Sequence, residues 1–371
     1  MWRYRNPVHI EFGVGSFDTL FNHISDRRYG LVTYAEPFFD DLSAKLAAKA
    51  GTPVVTINDV EANPDYALLT RQTERCAEAE NPDVWIALGG GSVIDSTKVF
   101  AAADGDFANV AGYLETGKGE DKLSATPIIA VPTTAGTGSE VTSWATVWKK
   151  ETSRKYSLAR TDLYPELALI DPALMLGKSR ELTISTGLDA LSHALESIWN
   201  VNANPVSANH AVLAARDVMD ALPKLAEDLG NIDLRSRMAR ASLMAGLAFS
   251  NTKTAIAHSL SYPITLQHDV PHGIACSFSL PIIIKSVIGS GGICEDALRR
   301  IFDGDVHGAV GKVSRMLNKL GISTLPVDHG VAKTEWSALV DDAFDGERGR
   351  NFIGERNAFL EAAAALGADS S

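Results

Sequence analysis

The stretch STGLDALSHALE, residues 185–196, sets a carboxylate, Asp189, and an imidazole, His193, four residues apart in a run of alanine and leucine. On an α-helix that spacing puts both side chains on one face, a turn apart. Further on, AIAHSLSYPITLQHDVPHGIACSFSLP brings three of the nine histidines, His258, His268 and His272, within fifteen residues of mostly apolar sequence. An unpaired imidazole is costly in such surroundings. Taken singly, each is an ordinary core histidine or an ordinary polar pair. Taken together, Asp189, His193, His258 and His272 make a set of three nitrogens and one oxygen that suits zinc or ferrous iron. The three cysteines, Cys76, Cys276 and Cys294, have no CxxC spacing, so no thiolate is expected in the set and iron stands beside zinc. A divalent ion next to a nicotinamide would polarise an aldehyde carbonyl for hydride attack.

A second constellation could bind the dinucleotide that carries the hydride. In DVWIALGGGSVIDSTKVFAAA a strand runs into Gly89, Gly90 and Gly91, and Ser92 opens an amphipathic helix. Glycines let a phosphate approach the backbone with no Cβ in the way, and the N–H groups and dipole of a helix start attract negative charge. The pattern is not GxGxxG, and a turn that binds nothing is the alternative. VPTTAGTGSEVT, residues 131–142, is a second loop, dense in hydroxyls and glycine and suited to phosphate and ribose oxygens. Lys98 and Lys155 could add positive charge, although a lysine is ordinarily solvated surface.

The elements that must hold these residues differ between the two halves of the chain. Residues 29–35, 53–59, 83–91 and 126–134 read as buried strands, and residues 38–50 and 66–80 as helices between the first three. That rhythm predicts a parallel sheet with crossover helices, which places ligands at the carboxyl ends of its strands. From about Leu182 onward Ala/Leu-rich helical periods dominate. His258 falls on a helix that Pro263 is expected to end, and His272 follows Pro271 at the head of another. The fold class is therefore α/β plus all-α: a dinucleotide-binding domain over residues 1–180 and a helical metal-binding domain over residues 181–371, with a cleft between them as the default site.

A formal charge of -12 over 371 residues argues against a general nucleic-acid partner, which would require a basic field. No run has the length needed to cross a bilayer, and MWRYRNPVHIEFG has no apolar h-region, so neither membrane insertion nor secretion is expected. Few cysteines, odd in number, fit a reducing cytoplasm.

GGGSVIDSTK, PTTAGTGSEVT, GLDALSHALE and AHSLSYP…DVPHG, taken in order, resemble the motifs of the iron-containing (group III) alcohol dehydrogenase family, and the likeness runs from FGVG near the N-terminus to beyond His272. The resemblance implies a Rossmann-like N-terminal domain, a helical C-terminal domain, NAD(H) or NADP(H), one divalent metal (Fe2+, or Zn2+) per subunit and a homodimer. It assigns the metal to Asp189, His193, His258 and His272, and the pyrophosphate to Gly90, Gly91 and Ser92. It adds cofactor contacts from Asn63 in EANPD, Thr133, Thr134, Thr137 and Lys155. Two positions depart from the pattern. Tyr34 stands where many members carry an Asp that binds the adenosine ribose, which leaves NADPH open. Tyr262 stands where many carry a second histidine thought to relay the proton; Tyr262 and His268 are the candidates for that role here.

Tyr262, QHDVPHGIAC and the C-terminal GERGRNFIGE most resemble the branch of phosphonoacetaldehyde reductases, also called hydroxyethylphosphonate dehydrogenases. A dianionic phosphonate needs cations, and Arg348 and Arg350, with Asn351 beside them and Lys253 ahead of His258, are the candidates. Two solvent-facing arginines are the alternative. Other short aldehydes, among them succinic semialdehyde, lactaldehyde and 3-hydroxypropionaldehyde, stay open as substrates. So do a lyase of the dehydroquinate-synthase type and a non-catalytic sensor.

Overall fold

The computed structural model describes residues 1–152 and 154–367, in two units. One comprises Asn6–Thr134 and Ser139–Met175; the other comprises Met1–Arg5, Ala135–Gly138 and the chain from Leu176 on.

The first unit is built on short, buried, β-branched runs. Its strands are β1 (His9–Phe12), β2 (Tyr29–Val32), β3 (Val55–Ile57), β4 (Val84–Gly89), β5 (Ile128–Pro132), the pair β6 (Trp144–Lys149) and β7 (Arg154–Ala159), and β8 (Leu167–Ile170). Six of them form one parallel sheet in the order β1-β8-β5-β4-β2-β3, with Leu31 opposite Ile86 and Ile86 opposite Ile129. Helices α1 (Leu20–Ile24), α2 (Pro37–Ala50), α3 (Tyr66–Ala77), α4 (Gly91–Ala103) and α5 (Phe107–Thr116) follow in chain order. After β3 the chain steps back across β2 to β4, so the strand order reverses at β4. The carboxyl end of β4, flanked by those of β2 and β5, is the switch point at which such sheets bind ligands.

Two sequence expectations need correction in this unit. Helix α4 is not amphipathic: Val93, Ile94, Val99 and Ala101 to Ala103 are buried, as are the polar Ser96, Thr97 and Lys98. The antiparallel β6–β7 pair supplies the reason, since its buried Ala145, Val147 and Leu158 join α4 in one core and cover the side that the sheet leaves open. Burial on both faces is worth about 1.5–3 kcal/mol for each large aliphatic side chain. That pair, with β1 and β8, lies outside the strands read from the sequence.

The helical unit consists of α6 (Arg180–Ile198), α7 (Pro205–Leu225), α8 (Ile232–Thr252), α9 (Ile256–His268), α10 (His272–Ser277), α11 (Leu280–Val287), α12 (Gly292–Ile301), α13 (Ala309–Leu320), α14 (Lys333–Asp345) and α15 (Arg356–Ala365). Local signals start several of them. The Ser179 hydroxyl accepts from Leu182 N–H ahead of α6, and Asn204 with Ser207 forms a capping box on α7, whose first residue is Pro205. Helices α6, α7, α8 and α10 pack together, and α6 is buried from Gly187 to Ile198. Gly273 lets α10 sit directly on α6, because a Cβ there would collide with the Ser185 carbonyl.

Pro263 does not end its helix; α9 continues to His268. An internal proline costs about 3 kcal/mol. Here it is flanked by buried Leu260, Ser261 and Ile264, and Ser259 Oγ donates to the Ala343 carbonyl on α14, so tertiary packing holds the turn. Among the described residues no helix is long and apolar enough to cross a membrane.

Candidate metal centre and phosphate-binding loop

Helix α6 presents Asp189 and His193 on one buried face, α9 contributes His258 from its first turn, and α10 opens with His272. Their polar atoms converge. Asp189 Oδ1 lies 3.4 Å from His258 Nε2, 3.8 Å from His193 Nε2 and 3.9 Å from His272 Nε2. Ligand atoms held about 2.0–2.2 Å from one cation stand roughly 3.3–3.6 Å apart at the corners of a tetrahedron. The spacing is too long for good hydrogen bonds, and Asp189 Oδ1 and His258 Nε2 are both buried with no hydrogen-bond partner. Buried polar atoms that converge with no hydrogen bond between them fit a divalent ion.

Electrostatics agree with that fit at Asp189 and His193, while at His258 burial is outweighed by Cys276, Glu196 and Asp189, which raise it well above its ordinary value. Burial alone would push the Asp189 carboxyl up, but His193, His258 and His272 around it hold it below its ordinary range, so it is an anion. Burial holds His193 down at about 4, which leaves it neutral with a lone pair to give. Its ring stacks between Phe249, at 4.1 Å, and His258, at 4.5 Å.

Two residues of this site escaped the sequence reading. Glu196, fully buried on α6, accepts from the backbone N–H groups of Ala255 (2.9 Å), Ala257 (2.5 Å) and His258 (3.2 Å), and from His258 Nδ1 at 2.6 Å. That last bond assigns the proton to Nδ1 and turns the Nε2 lone pair toward Asp189. Its signal was present: Asp189, His193 and Glu196 fall at i, i+4 and i+7 of one helix. The second is Cys276. Its Sγ is buried and forms, with Asp189, His258 and His272, a group of ligand atoms that all lie within 4.8 Å of one another. His272 and Cys276 are one helical turn apart on α10.

Around the metal set the other predicted residues divide. The Tyr262 ring stacks on His272 at 5.6 Å, nearly parallel, and the Arg348 guanidinium lies over the Tyr262 ring, 4.8 Å from its centre. Arg348 Nε donates to Thr254 Oγ1 at 3.2 Å, the single side-chain hydrogen bond of that guanidinium among the described residues. Gly349 next to it packs against α14, where a Cβ would meet the Ala343 carbonyl. His268 pairs through Nε2 with Glu335 at 2.5 Å. Arg350 is exposed and donates to the Asp345 carbonyl, exposed Lys253 pairs with Glu347, and Asn351 Nδ2 donates to the Thr254 carbonyl.

In the sheet unit, the carboxyl ends of β2, β4 and β5 bring Tyr34, Gly90 and Thr134 together. A Cβ on Gly90 would stand 3.3 Å from Thr134 Oγ1 and 3.7 Å from the Tyr34 hydroxyl. Gly90 is the N-cap of α4 and no side chain caps that helix start, so the first turn, Gly91 and Ser92, presents its N–H groups to an anion. Burial pushes Tyr34 up to about 12, so its hydroxyl is a neutral donor. Thr133 Oγ1 is buried without a hydrogen-bond partner. Asn63 takes a left-handed backbone, φ 59°, just before the segment that ends at the α3 cap. Lys155, on β7, lies over the Trp148 ring at 5.5 Å, and Thr137 belongs to the helical unit. Lys98 adds no surface charge. Its buried Nζ donates to the carbonyls of Ser139 (2.7 Å) and Trp144 (2.9 Å) and to the hydroxyls of Ser139 (3.0 Å) and Thr142 (3.2 Å), so it braces the segment after β5.

Both halves of the chain have known counterparts. A model of iron-containing alcohol dehydrogenases matches residues 7–172, and the C-terminal model of the same family matches residues 183–356. Phosphonoacetaldehyde reductase of Streptomyces viridochromogenes is 32% identical over 75% of this chain and 75% of its own length. 1,3-Propanediol dehydrogenase of Citrobacter freundii is 35% identical over 64% of this chain, and the match spans 60% of that protein. A crystal structure of sulfoacetaldehyde reductase from Bifidobacterium kashiwanohense in complex with NAD+ superposes with a TM-score of 0.89 over 100% of both chains, at 28% identity. With both halves matched and the fold shared, the chain belongs to the iron-containing alcohol dehydrogenase family, a family of oxidoreductases.

Proposed function

We propose that this chain reduces a short aldehyde carrying a tetrahedral anion, such as phosphonoacetaldehyde, to its alcohol, with NAD(H) or NADP(H) as hydride donor and one divalent metal, Fe2+ or Zn2+. Asp189, His193, His258 and His272 would hold the metal, which when bound supplies Lewis-acid polarisation of the carbonyl. The loop of Gly90, Gly91 and Ser92, with Tyr34, Asn63, Thr133, Thr134, Thr137 and Lys155, would hold the dinucleotide, which supplies the hydride. The reduction takes up one proton from solvent. Tyr262 Oη is the group assigned to pass it to the substrate oxygen, because its ring stacks on His272, whereas His268 is committed to Glu335. A homodimer in the cytoplasm belongs to the same proposal and rests on the family resemblance.

The observation that carries the substrate class is Arg348. Its guanidinium is fixed against Tyr262 and Thr254 with its terminal N–H fork uncommitted among the described residues, the geometry suited to phosphonate oxygens. Two of the similar proteins, phosphonoacetaldehyde reductase and sulfoacetaldehyde reductase, are named for aldehydes with such a group. Arg350, Lys253 and Asn351 support this reading less, since each is engaged elsewhere.

The test is a steady-state panel of phosphonoacetaldehyde, sulfoacetaldehyde and a neutral aldehyde of the same length, with NADH and with NADPH, on metal-loaded protein. Arg348→Ala should raise KM for the anionic aldehydes about 10–100-fold, the worth of a charge-assisted hydrogen bond, and leave the neutral one within about two-fold. Equal losses on all three would refute the clamp. No net consumption of reduced nicotinamide with any aldehyde would refute the reductase and leave a lyase of the dehydroquinate-synthase type.

A further inference from the structure

The turn that leads into α9 is strained and is held in that state from several sides. Lys253 closes α8 with φ 64° and ψ 178°, a backbone conformation ordinarily left to glycine. Asn200 Nδ2 donates to the Lys253 carbonyl at 3.2 Å, Asn351 Nδ2 donates to the Thr254 carbonyl at 2.9 Å, and the Ala255 N–H donates to Glu196 at 2.9 Å. The chain around Asn351 is tied down in turn. The Val201 N–H donates to the Asn351 carbonyl at 2.8 Å, and the Ile353 N–H donates to the Trp199 carbonyl at 3.1 Å. Backbone strain persists where its surroundings over-determine it, and it concentrates beside side chains whose direction matters. The side chain that follows Lys253 is Thr254, half-buried, whose Oγ1 accepts from Arg348 Nε at 3.2 Å.

We propose that Thr254 is the positioning residue of the anion site: by accepting the Nε–H it fixes the direction of the Arg348 guanidinium and leaves the terminal pair, Nη1 and Nη2, to meet the substrate. The inference rests on the reading of Arg348 as the anion clamp and names the residue that aims it. A cation is attracted to a ring face whichever way its N–H groups turn, so the Tyr262 ring, 4.8 Å from the guanidinium, fixes its place without its direction. The bond from Nε supplies the direction. An arginine carries many rotamers, and ordering such a side chain on binding costs affinity; Thr254 orders it before the substrate arrives. Asn351 acts one step further back. It holds the backbone of Thr254 through the carbonyl, so its place beside Arg348 in the sequence serves the clamp without contact to the anion.

The experiment measures kcat and KM on the full-length, metal-loaded protein with phosphonoacetaldehyde and with a neutral aldehyde of the same length. Thr254→Val keeps the shape of the side chain and removes the acceptor. The ratio of kcat/KM for the anionic aldehyde to that for the neutral one should fall about 3–10-fold, the worth of ordering one long side chain, with the loss in KM rather than in kcat. Thr254→Ser retains the hydroxyl and should bring the ratio back to within about two-fold of wild type. The decisive arm is the double variant. In an Arg348→Ala background Thr254→Val should lower the ratio no further, because it acts only through the guanidinium. Thr254→Ala repeats both arms if the valine variant does not fold. An equal loss with and without Arg348, a loss in kcat alone, or a wild-type ratio in Thr254→Val overturns the positioning role, and the clamp survives so long as Arg348→Ala by itself lowers the ratio. A wild-type ratio in Arg348→Ala overturns the clamp and the role of Thr254 together.

Discussion

Lys98 in the sheet unit and Asp189 in the helical unit are both charged side chains out of reach of solvent, yet their surroundings differ in kind. Lys98 Nζ has four oxygen acceptors within 3.2 Å, and its neighbour Asp95 accepts from Ser139 Oγ at 2.6 Å and from Thr146 N–H at 2.8 Å. Every donor has a partner, and the cluster ties the segment after β5 to helix α4. Around Asp189 the reverse holds: Oδ1 has three imidazole nitrogens within 3.9 Å and a hydrogen bond to none. Burial of charge is common to a structural brace and to a binding centre. What separates them is whether the polar atoms satisfy one another or point together at a place where an ion would satisfy them all.

The sharpest way to break this contrast is to remove one charge from each cluster. Asp189→Asn keeps the shape of the side chain and removes the anionic ligand, so metal affinity should fall by more than about 10³-fold, with the stability of the metal-free chain changed by roughly 1 kcal/mol or less. Lys98→Met should do the opposite. It strands two carbonyls and the Asp95 carboxylate, costing about 3–5 kcal/mol in denaturant unfolding, and leaves metal affinity in the helical unit where it was. Calorimetric titration of metal and urea melts of the metal-free proteins read both axes. If Asp189→Asn unfolds the chain while binding metal normally, the two clusters have been assigned the wrong way round.

A smaller effect sharpens the helical side of the comparison. Glu196 lies outside the predicted ligand set; it orients His258 through Nδ1 and closes the start of α9 through three backbone N–H groups. Glu196→Gln retains size but sets an amide N–H against those donors. Metal affinity should drop about 10–100-fold, the usual worth of a residue that orients a ligand. Far-ultraviolet circular dichroism of the variant should stay that of wild type. Unchanged metal affinity in a folded variant would remove Glu196 from the centre.

How far these clusters could be read from sequence follows from the distance over which each is assembled. Asp189, His193 and Glu196 share a face of one helix, so two were found and the third was missed only because a terminal Glu in an Ala/Leu run looks like a helix end. The alternation of strand and helix up to β5 is likewise local and was legible. The reversal at β4 and the pairing of β1 with β8 were not, because β1 has a half-exposed HIEF pattern and β8 is only LALI. Lys98 was misread for a tertiary reason: nothing within α4 announces that β6 and β7 will cover it. Arg348 and Arg350 are two residues apart, and only the packing of Gly349 against the carbonyls of α14 decides that the first faces Tyr262 and the second faces solvent.

The sheet-side cluster also makes a prediction in pH. Burial pushes the Glu140 carboxyl up to about 7 from an ordinary value of 4.5, and draws Lys98 down to about 8. Between those two values of Glu140 the folded chain holds a proton that the unfolded chain has released. Its contribution is therefore complete below about pH 4.5 and is lost as the pH rises through about 7. Glu140→Gln removes this titration while keeping a neutral side chain of the same size. The variant should match wild type near pH 4.5 and exceed it by on the order of 1–3 kcal/mol at pH 7.5, with the gap opening across the interval between. Lys98 titrates above that interval and leaves its shape intact. Urea midpoints measured in half-unit steps trace the curve. A difference between the two proteins that stays flat from pH 4.5 to 7.5 would show that Glu140 is already ionised in the folded chain, and that a third buried charge in the sheet unit is balanced as completely as Lys98.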